Sequence, residues 1–239
     1  MYEVSLGADF VSKNEGQELL EHYEAGEKMT TSCCPAFVSL IKKHYPQVLK
    51  YMSTTVSPMT ATGRLIKAMH PDAVCVFIGP CIAKKSEVID SITFGGADYA
   101  MTYEELASMF EAKNIDPEEC TETMQQGSKF GKQYSVSGGV TAAVLETFKE
   151  ANKEVDLKVK TCSGAQECKK ALMLLKVGKL PEDFIEGMVC EGGCVGGPSQ
   201  HRTEKAAMKD RNALLGEADE RGVHENLEHY PMDTFSMHR

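Results

Sequence analysis

Residues 186–197 read EGMVCEGGCVGG and place two thiols, Cys190 and Cys194, on a backbone with five glycines. A disulfide does not require glycine, and a zinc knuckle spaces its cysteines about two to four residues apart with a second pair elsewhere. Glycine has no Cβ, so its backbone can approach another group closely. The stretch therefore predicts a loop that a bulky group approaches, with thiolates as ligands.

Cysteine usage and composition limit what this loop can be. Nine cysteines occur in 239 residues, 42% of the residues are hydrophobic, and the formal net charge is -9. The odd cysteine count and the N-terminus MYEVSLGADF, which lacks a secretory pattern, argue against a disulfide framework and predict a cytoplasmic protein. The negative charge argues against nucleic-acid binding, and no apolar run reaches the ~20 residues of a membrane span. Metal binding or catalysis is the leading interpretation for some of the cysteines.

Helical and strand patterns alternate along the chain. Helices are predicted at 15–25, 35–45, 60–70, 138–152 and 164–179, after the capping box at 102–105, and beyond residue 200. Strands are predicted at 73–79, 154–162 and 183–190, the first of them buried. The alternation predicts one α/β domain over residues 1–239, with parallel or mixed sheets flanked by helices.

Two cysteines lie at the ends of predicted strands. Cys81 follows the strand at 73–79, and Cys190 ends the strand at 183–190. Sites in open α/β sheets form beyond the carboxyl ends of the strands. The sequence therefore predicts that these two thiols share one rim of a sheet.

Three segments combine cysteine with glycine or with a helix start. They are TSCCP (31–35), GPCIAKKSE (79–87) and EGMVCEGGCVGG (186–197). An iron–sulfur cluster needs thiolate ligands, commonly four, and hydrogen bonds from nearby donors, and helix N-termini stabilise anionic groups. The residues alone favour a cluster held by dispersed cysteines, with structural thiols or a zinc site as alternatives.

The same three segments resemble, in order and in internal spacing, the signature motifs of the FeFe-hydrogenase catalytic domain of clostridial type. The matching letters are T-S-C-C-P, P-C-x-x-K-x-x-E and E-x-M-x-C-x-x-G-C-x-x-G-G. The resemblance runs from about residue 8 to the C-terminal region. It implies an iron-only hydrogenase fold, with a cluster between two lobes of an α/β domain.

The resemblance also implies a cofactor, the H-cluster. In it, a 4Fe–4S cubane is joined through a cysteine sulfur to a two-iron subcluster with CO, cyanide and a bridging dithiolate amine. By motif match the cubane ligands are Cys34, Cys81, Cys190 and Cys194. Cys194 is then also the bridge to the two-iron unit, and the glycines of its loop let the backbone meet the cluster.

Further site residues follow from the same motifs. Lys84 is implied to donate a hydrogen bond to a cyanide, because a cation beside an anionic ligand is favourable. Glu87 is implied to support Lys84 or the pocket, and Met188 to pack on the two-iron unit. Pro80 belongs to the cofactor-binding motif beside Cys81.

Cys33 is implied to be the proton donor to the bridging amine, and not a ligand. Protons reach a buried cluster through exchangeable groups at hydrogen-bond spacing. The family's relay of Glu, Ser and Glu is matched by Glu18, Ser53 and Glu15, in that order inward to Cys33. Without the motifs, the two glutamates would be interpreted as a solvated helix face and Ser53 as a helix cap.

The sequence also departs from the family pattern. Phe37 stands where Trp is usual, Gly79 where Met is common, and Met59 where a polar residue is common. These changes predict an altered pocket wall. The chain begins inside the family's catalytic domain, so we expect a domain without the N-terminal lobe and ferredoxin-like modules, covered by a partner chain or a second copy.

The resemblance implies an enzyme that reversibly reduces protons to molecular hydrogen. It implies electron exchange with a ferredoxin-type protein and loading by dedicated maturation proteins. Two alternatives remain: a sensor or regulatory subunit with an H-cluster, and an iron–sulfur carrier or assembly protein of the related type that holds only a cubane. Retention of Cys33 argues against the sensor, and the set of Lys84, Glu87 and Met188 argues against the carrier.

Besides Cys33, four cysteines match no ligand position of the family. Cys75 lies in the strand at 73–79 and is predicted to be part of the core. Cys120, Cys162 and Cys168 have no assigned role, and a binding site at Cys162 and Cys168 is the less favoured interpretation.

Overall fold

The computed structural model describes residues 1–90, 93–117, 124–231 and 234–239. The helices in chain order are α1 (Val4–Glu24), α2 (Pro35–His44), α3 (Pro58–Met69), α4 (Ala83–Val88), α5 (Tyr103–Ala112), α6 (Lys129–Gln133), α7 (Gly139–Glu150), α8 (Ala165–Lys176), α9 (Glu204–Gly216) and α10 (Val223–Leu227). The strands are β1 (Met29–Thr30), β2 (Val76–Ile78), β3 (Tyr99–Met101), β4 (Val159–Ser163) and β5 (Phe184–Met188). Single turns of 3-10 helix cover Pro46–Tyr51 and Cys194–Gly196.

The larger sheet has three parallel strands in the order β1, β5, β4. Both neighbours are in register with the start of β5, where Phe184 is paired with Met29 on one side and Val159 on the other. All five residues of β5 are buried, as a parallel strand covered on both faces requires. Helix α8 connects β4 to β5 and packs on this sheet. The α/β architecture with parallel sheets and flanking helices is therefore confirmed.

Helix α1 is the central helix of the domain, in contact with α3, α6, α7 and α10. The sequence predicted only its second half, from residue 15. Residues 6–12 are all buried, Asp9 and Ser12 included, so this part has no polar face and no amphipathic period. Asp9 is buried because it accepts hydrogen bonds from the Ser128 amide and hydroxyl and from the Asn226 amide.

The second sheet contains only β2 and β3, paired in parallel. The strand predicted at 73–79 is present as β2, but the prediction that it is buried is wrong, because Val76 and Ile78 are 44% and 41% exposed. Cys75, just before β2, is buried as predicted. Sequence reasoning missed β3, since three residues are too short for a periodic signal.

The two sheets also correct the prediction of a shared rim. Cys81 follows β2 of the small sheet, whereas Cys190 follows β5 of the large one. Their thiols come together through the packing of two sheets and not through neighbouring strands of one.

Among the described residues, no helix combines the length and apolarity needed to cross a membrane.

Gly187 is the point of closest packing in β5. A Cβ at this position would overlap the ring of Phe37, which is fully buried in α2. Because neither strand nor ring has free space beside it, we predict that Gly187→Ala lowers the free energy of unfolding by about 2 kcal/mol. Urea unfolding measured by circular dichroism tests this value.

A matched control is Gly216→Ala at the end of α9, where a Cβ would meet no atom within 4 Å. That variant should unfold as the unchanged chain does. Adding Phe37→Leu to Gly187→Ala should recover part of the loss, because the smaller side chain removes the overlap. Equal stability of Gly187→Ala and Gly216→Ala would contradict the packing described.

Candidate functional site

A cavity of about 730 Å³ lies between the two sheets. The thiol-bearing residues that line it are Cys33, Cys34, Cys81, Cys190 and Cys194. They come from segments far apart in the chain, and each segment follows the carboxyl end of a strand. The structure thus brings all five cysteines of the three motifs to one place.

Local structure positions each thiol. Cys34 is the residue before α2, with Pro35 in the first turn, so it lies at a helix N-terminus as predicted. Cys81 lies between β2 and the short helix α4. Cys190 lies two residues after the end of β5, and Cys194 begins the 3-10 turn of the glycine loop.

Two glycines of the loop at 190–197 lie close to other protein backbone, a contact that the sequence did not predict. A Cβ on Gly193, whose φ is +97°, would come within 2.7 Å of the Ser137 amide nitrogen. On Gly197 it would come within 2.7 Å of the Pro80 carbonyl oxygen. These glycines therefore let the loop pack against other protein backbone, including the segment that carries Cys81, and both of them also line the cavity.

The thiols of the cavity have raised pKa values because they are buried. Burial, with smaller contributions from the other thiols, raises the pKa of Cys190 to about 11 and that of Cys194 to about 12. The pKa of Cys34 is raised by burial as well. Thiolate is the form that binds metal, so these thiols lose their protons most readily when a cation compensates the charge.

Lys84 is a buried cation in the cavity wall. Its Nζ lies 2.6 Å from Glu87 Oε2 and donates a hydrogen bond of 2.8 Å to Ser57 Oγ. Glu87 thus supports Lys84, as one of the two predicted alternatives has it. Both side chains are almost fully buried, and an unpaired charge at such a depth is costly.

Met188 and Pro80 also line the cavity, and Met188 is buried at the end of β5. Glu186 of the same motif has a role that sequence reasoning did not assign. It is fully buried and accepts hydrogen bonds from the amides of Gly138 (2.7 Å) and Thr141 (2.8 Å). Its carboxylate therefore caps the N-terminus of α7 from the neighbouring sheet.

The four residues of the predicted relay are neighbours. Ser53 Oγ donates a 2.6 Å hydrogen bond to Glu18 Oε2. The Ser53 hydroxyl is also close enough to Glu15 to lower its pKa, although Glu15 Oε2 makes no hydrogen bond within the described part of the chain. Glu15 in turn raises the pKa of the Cys33 thiol, after burial as the main cause.

Glu18, at the outer end of this series, is its most exposed member. Glu18 is half-buried, whereas Ser53 and Glu15 are fully buried and Cys33 is 7% exposed. Burial, with a smaller contribution from the charge of Glu18, raises the pKa of Glu15 to about 8. The carboxyl nearest Cys33 therefore holds its proton at neutral pH.

The other cysteines that the structure describes, Cys75, Cys162 and Cys168, do not line the cavity. Cys162 and Cys168 are fully buried in the core formed by α2, α8 and β5. Their thiols are hydrogen-bonded to each other, which lowers the pKa of Cys162, and Cys168 Sγ also donates to the Met188 carbonyl. Cys120 lies outside the described residues.

The residues of the cavity fit an iron–sulfur group. Four thiol donors surround one space, and within the described residues no three His, Cys, Asp or Glu side chains converge to hold a single metal ion. Arg211 of α9 lines the same cavity, and its buried Nε and Nη2 have no hydrogen-bond partner in the described part of the chain. Its Nη1 donates to the neutral Asn212 Oδ1 at 2.9 Å, so within the described residues no anion pairs with this guanidinium. A partly buried cation without a counter-ion favours an anion nearby, and a cluster with four thiolate ligands is anionic.

Sequence reasoning missed several residues that hold this site. Ser57 and Thr55 contact Lys84 and Glu18, with Thr55 Oγ1 3.1 Å from Glu18 Oε2. Ser57 carried a signal, since a serine before proline at a helix start is a common N-cap. Nothing in the sequence around Arg211 indicated that α9 would reach the cavity.

Comparison with known proteins agrees with this geometry. The family model described as iron only hydrogenase large subunit, C-terminal domain, matches residues 1–198. The periplasmic Fe hydrogenase large subunit of Nitratidesulfovibrio vulgaris is 30% identical over 246 residues, which cover 83% of this chain and 58% of that protein. The cytosolic Fe-S cluster assembly factor narfl of Danio rerio is 24% identical, over 92% of this chain and 66% of that protein.

Among solved structures, an apo variant of the FeFe-hydrogenase HydA1 from Chlamydomonas reinhardtii is similar in fold. Its TM-score is 0.71 at 25% identity, and the match covers 94% of this chain and 77% of that one. The chain spans about half the length of several hydrogenase relatives that it matches. It belongs to the family of the iron-only hydrogenase large subunit, C-terminal domain.

Proposed function

We propose that this chain catalyses the reversible reduction of protons to molecular hydrogen at an H-cluster held in the cavity. Cys34, Cys81, Cys190 and Cys194 would hold the cubane, and Cys194 would bridge it to the two-iron unit. When bound, the cofactor would supply the redox centre at which protons and hydrogen are interconverted, with electrons exchanged with a ferredoxin-type protein. Side chains of the protein would carry out the other functions, which are proton transfer and orientation of the cofactor.

The observation that carries this proposal is the position of Cys33. This residue lines the cavity with the four proposed ligands, and the carboxyl of Glu15, which does not line the cavity, lies close enough to raise the pKa of the Cys33 thiol. A purely structural thiol, or a fifth ligand, does not need a protonated carboxyl next to it. A group that delivers protons does.

Proton movement would start at the half-buried Glu18. The 2.6 Å hydrogen bond from Ser53 links Glu18 to the interior, and rotation of the Ser53 hydroxyl would pass the proton to Glu15. Glu15 has a pKa of about 8, so it holds that proton at neutral pH until Cys33 needs it. Cys33 keeps its own proton because burial disfavours its thiolate, and it would therefore act as the final donor.

Lys84 would bind and orient a cyanide of the cofactor. An ammonium group has three N–H donors, and the contacts with Ser57 and Glu87 occupy two of them. The third is available for a ligand in the cavity that the side chain lines. Met188 and Pro80 would form the apolar wall of the site.

Electron exchange with a ferredoxin-type protein, loading by maturation proteins and a partner chain or second copy over the cavity remain parts of the proposal. So does a location in the cytoplasm. They rest on the family resemblance, and the relatives are much longer than this chain.

The second candidate is an iron–sulfur carrier or assembly protein that holds only a cubane. It is supported by the relative from Danio rerio, which matches 92% of this chain. The buried Lys84–Glu87 pair and the Cys33–Glu15 neighbourhood argue for the hydrogenase, because a carrier has no use for either. A sensor with an H-cluster would keep the cofactor and turn over slowly.

Infrared spectroscopy of anaerobically matured protein, with a hydrogen assay on the same sample, tests the proposal. Stretching bands of CO and cyanide that shift under hydrogen, together with turnover, are the expected result. Bands without turnover would indicate the sensor. A cubane signal in electron paramagnetic resonance without CO or cyanide bands would indicate the carrier and overturn the proposal.

Cys33→Ala should leave the CO and cyanide bands in place and lower hydrogen production at least about 100-fold, the range typical for loss of a general acid. The bands and the turnover would be measured on the same matured sample. Cys75→Ala, a buried thiol outside the cavity, is the matched control and should keep turnover. Normal turnover of Cys33→Ala would show that Cys33 is not the donor.

Cys194→Ala should abolish the CO and cyanide bands, since it removes the proposed bridge to the two-iron unit. Iron content and the infrared spectrum are the readouts, with Cys75→Ala again as control. If the bands persisted at normal intensity in Cys194→Ala, another residue would have to be the bridge.

Glu15 should make stability depend on pH. Its pKa is about 8 in the native state and 4.5 ordinarily, so between these values the native state keeps a proton that the unfolded state loses. The free energy of unfolding therefore falls as pH rises through this window. We predict that Glu15→Gln flattens the fall, as measured by urea unfolding of the cofactor-free chain at about pH 5 and about pH 8.

Burial also raises the pKa of Asp9, to about 7. Asp9 therefore also lowers the free energy of unfolding as pH rises, so Glu15→Gln will retain part of the pH dependence. Glu21→Gln, on the exposed side of α1, is the control and should not change the slope. An unchanged slope in Glu15→Gln would mean that Glu15 is ionised in the native state.

A further inference from the structure

The last residues of the chain lie beside the proposed proton path. The family model ends its match at residue 198, so this part of the chain is outside the matched region. The Val56 amide donates to the Met237 carbonyl at 2.8 Å, and the Arg239 amide donates to the Thr54 carbonyl at 2.9 Å. Residues 237–239 thus run antiparallel to residues 54–56, with His238 opposite Thr55.

The Arg239 side chain joins two separate segments. Its Nη2 donates a hydrogen bond of 2.5 Å to the Ser32 carbonyl, and its Nε donates one of 3.2 Å to the Thr55 carbonyl. Ser32 Oγ donates to the same Thr55 carbonyl at 2.5 Å. The planar guanidinium therefore holds the backbone at Ser32 and at Thr55 in a fixed relation.

Each of these two segments holds one end of the path. On one side, Ser32 precedes Cys33, and the Ser32 amide donates to Glu15 Oε1 at 3.3 Å. On the other side, the Thr54 amide donates to Glu18 Oε1 at 2.7 Å. The Cys33 end and the Glu18 end are thus joined by the Arg239 side chain together with the Ser32 hydroxyl.

The segment that carries Arg239 is itself anchored. Arg64 Nη1 donates to the carbonyls of Ser236 (2.6 Å) and His238 (2.9 Å). The position of Arg239 therefore does not depend on its own two contacts alone.

We propose that Arg239 is a positioning residue for proton transfer, which holds Cys33 and Glu15 at the distance that transfer requires. This inference rests on the proposed function. Proton transfer needs heavy atoms at hydrogen-bond reach, and a displacement of about 1 Å can cost up to about 100-fold in rate. Loss of the two Arg239 hydrogen bonds would let the Ser32–Cys33 backbone move away from Glu15, although every residue of the proposed proton path would still be present.

The test compares Arg239→Gln and Arg239→Lys with the unchanged chain. Arg202→Gln is the matched control, because Arg202 is an exposed guanidinium that pairs with Asp210. The first readout is hydrogen production by the matured protein in H2O and in D2O, with the infrared bands of the cofactor. The second is the carboxyl stretching band of Glu15 in the cofactor-free chain, identified by its loss in Glu15→Gln.

Arg239→Gln should lower turnover about tenfold and increase the solvent isotope effect, with unchanged cofactor bands and a shifted Glu15 band. Arg239→Lys should give an intermediate turnover, since an ammonium group lacks the planar guanidinium geometry that binds two carbonyls at once. This variant serves as the test if Arg239→Gln does not fold. Arg202→Gln should match the unchanged chain.

Turnover and isotope effect in Arg239→Gln equal to those of the unchanged chain would overturn the inference, whether or not the Glu15 band shifts. If the unchanged chain is matured and makes no hydrogen, the proposed function fails. The Glu15 band then decides alone: a shift in Arg239→Gln supports the positioning of Glu15 by Arg239, and no shift overturns it.

Discussion

The parallel pairing of β5 between β1 and β4 is the constraint on which the site depends. It brings the end of β1, from which Cys33 and Cys34 follow, beside the end of β5, from which Cys190 follows. The pairing with β5 continues past the end of β1, where the Thr31 amide donates to the Ile185 carbonyl and the Gly187 amide donates to Thr31 Oγ1. A slip of one residue in this register would turn every side chain of β5 to the other face, and Glu186 and Met188 would lose their places.

The second constraint is electrostatic. Glu15, Glu186, Lys84 and Glu87 are all buried near the thiols of the cavity, where an uncompensated charge costs several kcal/mol. Each is accommodated in a different way. Glu186 accepts hydrogen bonds from a helix N-terminus, Lys84 and Glu87 form an ion pair, and Glu15 retains its proton. A chain selected only for stability would place apolar side chains here, so this concentration of ionisable groups favours a catalytic role.

The C-terminal part of the chain contributes more to the site than the matched family region suggests. Helix α9 packs on the turn that carries Cys194 and supplies Arg211 to the cavity wall. Residues 237–239 pair with residues 54–56 beside Glu18. Residues from beyond position 198 therefore complete the cavity and lie beside the proposed proton path.

Short-range patterns in the sequence determined the helices that have caps and amphipathic faces, such as α5 with its capping box at Thr102 and α8 with its clear start and stop. The cysteine motifs predicted the five thiols that line the cavity, because binding a cluster requires particular residue types at particular spacings. The first half of α1 and the exposure of β2 could not be predicted, because both depend on what covers each face. Tertiary structure alone decided that Cys81 and Cys190 meet across two sheets, that Glu186 caps α7, and that Arg239 spans Ser32 and Thr55. These are contacts between residues far apart in the chain, and no local pattern encodes the relative placement of segments that only packing brings together.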